Sequence, residues 1–265
     1  MRKQIQILGW VASTALALGF GAAHAGPLPA GWTYTGNAGT NTAADGVVTL
    51  APGFNSYQWL STAGAPNGGG TLPVGPTGQE TNGTTVHTST FTVAAGDSLK
   101  FFFNYITSDG AQFTEYAWAG LFNGPASFDS YLFTARTTTV GDTVPGFGLP
   151  GLGAGVTLSP STTAIIPGGP VFSPLGGYSG RCYSTGCGYT GWVEMDYTFT
   201  VAGDYSLGFG VTNALDTAYD TAFAIAGVTI NDVPIDDNKT PEPATLALVG
   251  ISLAGLGVMR RRRQS

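Results

Sequence analysis

Val193, Met195, Tyr197, Phe199 and Val201 alternate with Glu194, Asp196, Thr198 and Thr200. A period of two places one apolar and one wet face on an extended strand, a pattern that a helix does not produce. The spacing returns where Tyr205, Leu207, Phe209 and Val211 alternate with Ser206, Gly208, Gly210 and Thr212. Only Ala202-Gly203-Asp204 separates the two runs, which predicts a hairpin. Residues 99–106 carry Leu99, Phe101, Phe103 and Tyr105 on one side and Phe102 and Ile106 on the other, while residues 221–230 are apolar on both faces. Both segments are therefore predicted to be central strands. Further strands are predicted at 46–50, 56–61, 84–93, 115–122 and 130–136, with turn signals such as Asn82-Gly83, Asp109-Gly110 and Asn123-Gly124-Pro125 between them. Residues 26–235 are expected to form one all-β domain, an antiparallel β-sandwich of jelly-roll type.

A short internal repeat supports this reading. Phe91-Thr-Val-Ala-Ala-Gly-Asp97-Ser-Leu99 matches Phe199-Thr-Val-Ala-Gly-Asp204-Tyr-Ser-Leu207 after one shift. Two equivalent hairpins, one per half of the sandwich, are expected from it. Two Gly/Pro-rich stretches, 63–78 and 143–191, break the strand rhythm. The second holds Phe147, Ile165, Ile166, Phe172, Tyr178, Tyr183, Tyr189 and, just past its end, Trp192, so it is expected to pack onto the sandwich as an insert. Residues 236–240 read as a polar linker.

Both ends carry membrane signals. Arg2 and Lys3 precede an apolar run over 5–23, and Ala23-His24-Ala25 follows. A basic start, an apolar helix and an Ala-x-Ala site make up a secretory signal peptide over 1–25, with cleavage expected after Ala25. At the other end, Pro241, Glu242 and Pro243 precede 16 uncharged residues (244–259) and then Arg260, Arg261, Arg262 and Arg263. Sixteen helical residues span about 24 Å, short of the hydrocarbon core of about 30 Å, so a transmembrane helix here needs snorkelling arginines or a thinned bilayer. The arginine run stays cytoplasmic, leaving the body on the far side of the inner membrane. The tripartite tail, 241–265, resembles the PEP-CTERM sorting signal of Gram-negative bacteria. The resemblance implies an exosortase-type processing enzyme as partner, with Pro241, Glu242 and Pro243 as its recognition site. It also implies transient anchoring in the inner membrane, then release to the cell surface or outside the cell, and a link to exopolysaccharide.

Charge narrows the partners. Residues 26–240 hold four basic and 15 acidic side chains, a net charge of −11. Such a body repels nucleic acid and anionic lipid. Cys182 and Cys187, five residues apart in an exported chain, read as a disulfide that pins a loop. Zinc is the rival reading, but two thiolates need two more ligands, and His87 lies far away in sequence.

No cofactor is expected and no constellation specifies catalysis. A Ser-His-Asp triad would rest on His87 alone among residues 26–265, and its partners are not displayed. Glu115, Glu194 and Asp196 are the material for a glycosidase pair, although solvated strand charges explain the last two. Asp109 with Glu115, and Asp216 with Asp220, flank strand boundaries and are candidates for structural calcium, against turn-capping as the simpler role. Trp32, Trp59, Trp118, Trp192 and the tyrosines of 178–189 are candidate sugar-stacking surfaces, with core packing as the alternative. The expectation is a non-enzymatic structural or adhesive surface protein, then a carbohydrate-binding module, then a glycan-active enzyme.

Overall fold

The structure, a computed structural model, describes residues 25–75 and 78–236. The expected signal peptide, except Ala25, and the tail beyond 236 lie outside the described residues. So do Ala23, all seven residues of the tail motif, and the helices expected at both ends.

Among the described residues fifteen strands follow in chain order: β1 (Thr33–Thr35), β2 (Asn37–Asn41), β3 (Tyr57–Ser61), β4 (Glu80–His87), β5 (Phe91–Val93), β6 (Ser98–Thr107), β7 (Tyr116–Asn123), β8 (Ser127–Ala135), β9 (Thr157–Ser159), β10 (Ile166–Pro167), β11 (Gly188–Tyr189), β12 (Val193–Thr198), β13 (Gly203–Ala214), β14 (Thr221–Ile230) and β15 (Val233–Pro234). They form two antiparallel sheets. One runs β1-β4-β13-β7-β8 with β5 beside β13. The other runs β10-β11-β6-β14-β3-β2, with β12 also along β6, β9 along β12 and β15 along β14.

The facing sides of the sheets meet in an aromatic core. Phe101 and Phe103 of β6, Phe133 of β8, Phe209 of β13 and Phe223 of β14 are all fully buried. Phe103 and Phe133 stack with centroids 4.2 Å apart, and Phe101 meets Phe209 edge-on at 5.5 Å. Offset and edge-to-face pairs of this kind add roughly 0.5–1.5 kcal/mol beyond area burial. β6 and β14, flanked by strands on both sides, occupy the predicted central positions.

Three expectations need correction. The predicted hairpin between 193–201 and 205–211 does not form. β12 pairs with β6 in the larger sheet, whereas β13 pairs with β4, β5 and β7 in the smaller one. The chain crosses between layers there, because the apolar faces of both strands must point into the same interior. The first copy of the repeat behaves alike: β5 lies in the smaller sheet and β6 in the larger. The repeat thus encodes two sheet-to-sheet arches, and they touch. Gly96 N and Phe199 N reach across to Phe199 O and Asp97 O at 2.8 and 2.9 Å, and Phe91 packs on Phe199. Third, 46–50 is no strand; it is a tight loop held by a bridge between Asp45 and Val48.

Of the insert side chains expected to pack onto the sandwich, Phe172 is buried, whereas Phe147, Ile166 and Tyr183 are exposed. Val144, Val156, Phe172 and Leu175 are buried, and Ser173–Tyr178 forms a short 3₁₀ segment over β3. Gly227 sits at the register shift in β14 with φ 66°, and a Cβ there would collide with the Phe54 ring. Glycine is what allows β14 to bulge over that ring.

Candidate functional site

Core chemistry changes where β6 ends and β14 begins. Thr107 and Thr221 are register partners, and both hydroxyls point at Glu115, the residue before β7. Glu115 is 3% exposed and takes both donors on one oxygen, Oε2: Thr107 Oγ1 at 3.0 Å and Thr221 Oγ1. Asp109, 1% exposed, donates its N–H to Thr107 Oγ1 at 3.0 Å and accepts the Gly110 N–H on Oδ1 at 2.7 Å. The remaining oxygens, Asp109 Oδ2 and Glu115 Oε1, are buried and meet no donor from another group.

Two adjacent carboxyl groups with one bare oxygen each are satisfied when one carries a proton and donates it to the other. The electrostatics agree. Burial first, then the Asp109 charge, holds Glu115 well above the usual carboxylate range. Burial first, with the Asp216 charge, pushes Asp109 up to about 6, while the hydrogen bond from the Gly110 N–H and, less, that from Glu115 pull it back. Both shifts run the same way, so the pair holds protons to higher pH than free carboxylic acids would, as acids in a dry site should.

The two carboxylate pairs that were candidates for calcium, Asp109 with Glu115 and Asp216 with Asp220, are placed differently. Asp109 and Glu115 come together. Asp220 turns to Thr62, whose hydroxyl donates to Oδ1 at 3.0 Å, while Ser108 binds its carbonyl. Asp216 caps its own turn through the Ala218 N–H at 2.8 Å. Among the described residues no cluster of three or more His, Cys, Asp or Glu is arranged to hold a metal. Glu194 and Asp196 stand elsewhere, opposite Phe102 and Lys100 on β6. Phe102 is five strand positions from Thr107, about 17 Å at a strand rise of about 3.3 Å, so neither acid forms a close pair with Glu115. His87 ends β4 with its ring edge-on to Phe122 at 4.8 Å, and burial lowers its pKa.

Three of the four candidate stacking tryptophans are interior. Trp32, Trp59 and Trp118 are 7%, 6% and 1% exposed. Trp118 Nε1 donates to Gly70 O at 2.8 Å, and its indole lies over Gly210, where any side chain would clash. A group of partly exposed aromatics lies at the polar end. Tyr219, at φ 55°, touches Tyr178 at 4.7 Å and Tyr183 at 5.0 Å, and Tyr183 meets Phe113 at 5.2 Å. The Cys182–Cys187 disulfide, with Cα atoms 5.6 Å apart, shapes this ledge: Tyr183 N binds Ser108 O, and Thr137 Oγ1 binds Gly186 O. The loop thereby closes over the strand end that carries Asp109.

Arg136, just past β8, completes the site. Its guanidinium carbon sits 5.5 Å from the Tyr116 ring centroid, and Nη1 donates to Phe147 O at 2.8 Å. Nε is buried and has no acceptor. Two clefts share Arg136 and Thr114. The smaller, about 190 Å³, also holds Glu80, whose carboxylate accepts the Tyr116 hydroxyl and the Gly78 and Gln79 N–H groups. The larger, about 660 Å³, is lined by Gln112, the Thr137–Thr139 run, Val140 and Phe147. Arg136 was visible in the sequence only as one of four cations in the body; that scarcity was the signal.

Residues 239–263 match the family model described as the PEP-CTERM protein-sorting motif. No curated protein matches the chain. Among solved structures, the K2 cleaved adhesin domain of Lys-gingipain is similar over 80% of this chain and 94% of its own, at 10% identity and TM-score 0.41. The K1 adhesin domain from Porphyromonas gingivalis W83 is similar over 79% and 95%, at 12% identity and TM-score 0.35. A structure described as CBM4 covers 76% and 93%, at 10% identity and TM-score 0.31. These distant likenesses leave the sandwich assignment resting on its own strand pairing. The chain carries a PEP-CTERM protein-sorting motif, the signal recognised in exosortase processing, and this marks it for export and processing at the membrane, bound for the surface or the extracellular space.

Proposed function

We propose that this protein is a non-enzymatic structural or adhesive component of an extracellular, exopolysaccharide-associated matrix. The sorting motif at residues 239–263 carries the proposal, because it fixes the compartment in which an acidic, lysine-poor sandwich has to work. The inner membrane is a transient station in this reading, reached through the 244–259 segment and left after processing at Pro241-Glu242-Pro243. Fractionating host cells that express the intact chain or a Glu242→Ala, Pro243→Ala double variant tests the route. The unaltered protein is expected in the extracellular or surface fraction, with the variant retained at the inner membrane. Equal distribution of the two would defeat it.

A second reading, carbohydrate binding, has its own support. The Phe113, Tyr178, Tyr183 and Tyr219 ledge is partly open to solvent, and Phe113 lies between two residues that line the larger cleft, Gln112 and Thr114. Amphipathic rings beside hydroxyl- and amide-lined space suit a pyranose, which has apolar faces and a polar rim. Co-precipitation with the host polysaccharide, lost in Tyr183→Ala, is the expected result. An unchanged yield in that variant would remove the ledge from the reading. Release of reducing ends from the same polysaccharide by the purified chain would overturn the non-enzymatic assignment.

A further inference from the structure

We propose that the larger cleft beside Arg136 is a binding site for a carboxylate-bearing saccharide, a glycan of the uronic-acid class, with the guanidinium as its anchor. The inference rests on the carbohydrate-binding reading and specifies the ligand.

Arg136 is a half-buried cation with no ion-pair partner among the described residues; the Glu80 charge acts on it only from across the smaller cleft. Its side chain lies over Tyr116, and its Nε finds no acceptor. The ion pairs recorded there belong to Lys100, with Asp196 and Asp232. Glu80, across the smaller cleft, already accepts three hydrogen bonds. Taking a cation out of water costs free energy unless an anion answers it. A planar fork of N–H donors answers best to a carboxylate.

The surroundings favour a sugar as the carrier of that carboxylate. Between residues 26 and 240 there are 15 acidic side chains, yet among the described residues none lines this cleft. Thr114, Thr138 and Gln112 offer hydroxyl and amide groups at its wall. Phe147 and Val140, 77% and 83% exposed, stand at its edge with no core to enter. A ring there is placed to cover the apolar face of a pyranose. The volume, about 660 Å³, falls inside the range of roughly 300–1,000 Å³ usual for small-ligand pockets. The acidic body opposes a polyanion at long range, but that field is screened beyond about 8 Å at physiological salt, whereas contact with Arg136 is not.

The test is calorimetric titration of the full chain in detergent with three probes: an oligogalacturonide, its methyl ester, and a neutral oligosaccharide of equal length. The free acid is expected to bind, with the ester weaker by roughly 10- to 100-fold, the loss of a charge-assisted hydrogen bond. Arg136→Gln should weaken the free acid by the same factor and leave the ester unmoved. Phe147→Ala, an exposed position, should weaken acid and ester together and cannot fail through misfolding of the core. Equal affinity for acid and ester, or full affinity in folded Arg136→Gln, overturns the uronate assignment while leaving carbohydrate binding standing. Binding of none of the three overturns both. Should Arg136→Gln not fold, the acid–ester comparison and Phe147→Ala decide.

Discussion

In the middle of the sandwich Phe101, Phe103, Phe133, Phe209 and Phe223 interlock with centroids 4.2–6.4 Å apart. Four positions further along β6 the interior is Thr107, and with Glu115, Thr221, Asp109 and Asp220 it is held by directed hydrogen bonds. The aromatic region is bound by area and dispersion, which tolerate small displacements and hardly depend on pH. The polar region is bound by a few groups whose partners are each specified, so removal of one strands the others. The difference teaches where function belongs. An aromatic core has no unspent chemistry, whereas the polar end leaves two buried carboxyl oxygens without a donor, a guanidinium without an ion-pair partner and partly open rings.

The largest effect should come from the aromatic side. Phe103→Ala is expected to lower stability by about 3–5 kcal/mol, read from denaturant midpoints. A loss under about 1 kcal/mol would show that the rings are not the main store of stability.

Next comes the polar end. Glu115→Leu leaves the Thr107 hydroxyl without its acceptor and Thr221 with Thr107 Oγ1 alone, and should cost about 2–3 kcal/mol. Glu115→Gln keeps both contacts and a donor toward Asp109, so it sharpens the comparison through pH. Asp109 titrates near 3.8 when unfolded and about 6 when folded, and Glu115 is shifted the same way. The folded protein thus holds protons that the unfolded chain has released. The pair stabilises most below about pH 4, and its contribution falls as pH rises through about 6. His87 has the opposite sign: its folded pKa is depressed from 6.5, so acidification lowers stability through it. The informative quantity is therefore the wild-type minus Glu115→Gln difference in melting temperature, expected to turn against the wild type as pH goes from 4 to 7. A flat difference would contradict a shared proton.

Cys182→Ser with Cys187→Ser should cost about 2 kcal/mol, the loop-closure value for so short a ring, and should loosen the Tyr183 ledge without touching the aromatic core. Near-UV circular dichroism separates those contributions. The smallest effect is expected at the other rim. Lys100 lies 3.8 and 3.5 Å from Asp196 and Asp232, all partly open to solvent, so Lys100→Ala should change stability by less than about 1 kcal/mol.

Much of this architecture was legible in the chain. The period of two marked β12 and β13, and apolar residues on both faces marked β6 and β14 as central, each within a few residues. Pairing partners were not legible. Val193 to Val211 reads as a hairpin locally, and only the closure of a second sheet sends β12 and β13 to different layers. Glu115 shows the same limit. In sequence it is one more acid at a strand start; its meaning depends on Thr221, 106 positions away, and on Asp109 turning back toward it.

The sequence by itself determined the strand periodicity, the charge of the body, the cysteine pair and the sorting motif, since each is written in neighbouring residues or in composition. Tertiary structure alone decided which carboxyls are buried side by side, which tryptophans are spent in the core, and that Arg136 stands without an ion-pair partner beside an open cleft. Those outcomes depend on burial and on distances between residues far apart along the chain, and neither exists until the sheets have closed on each other.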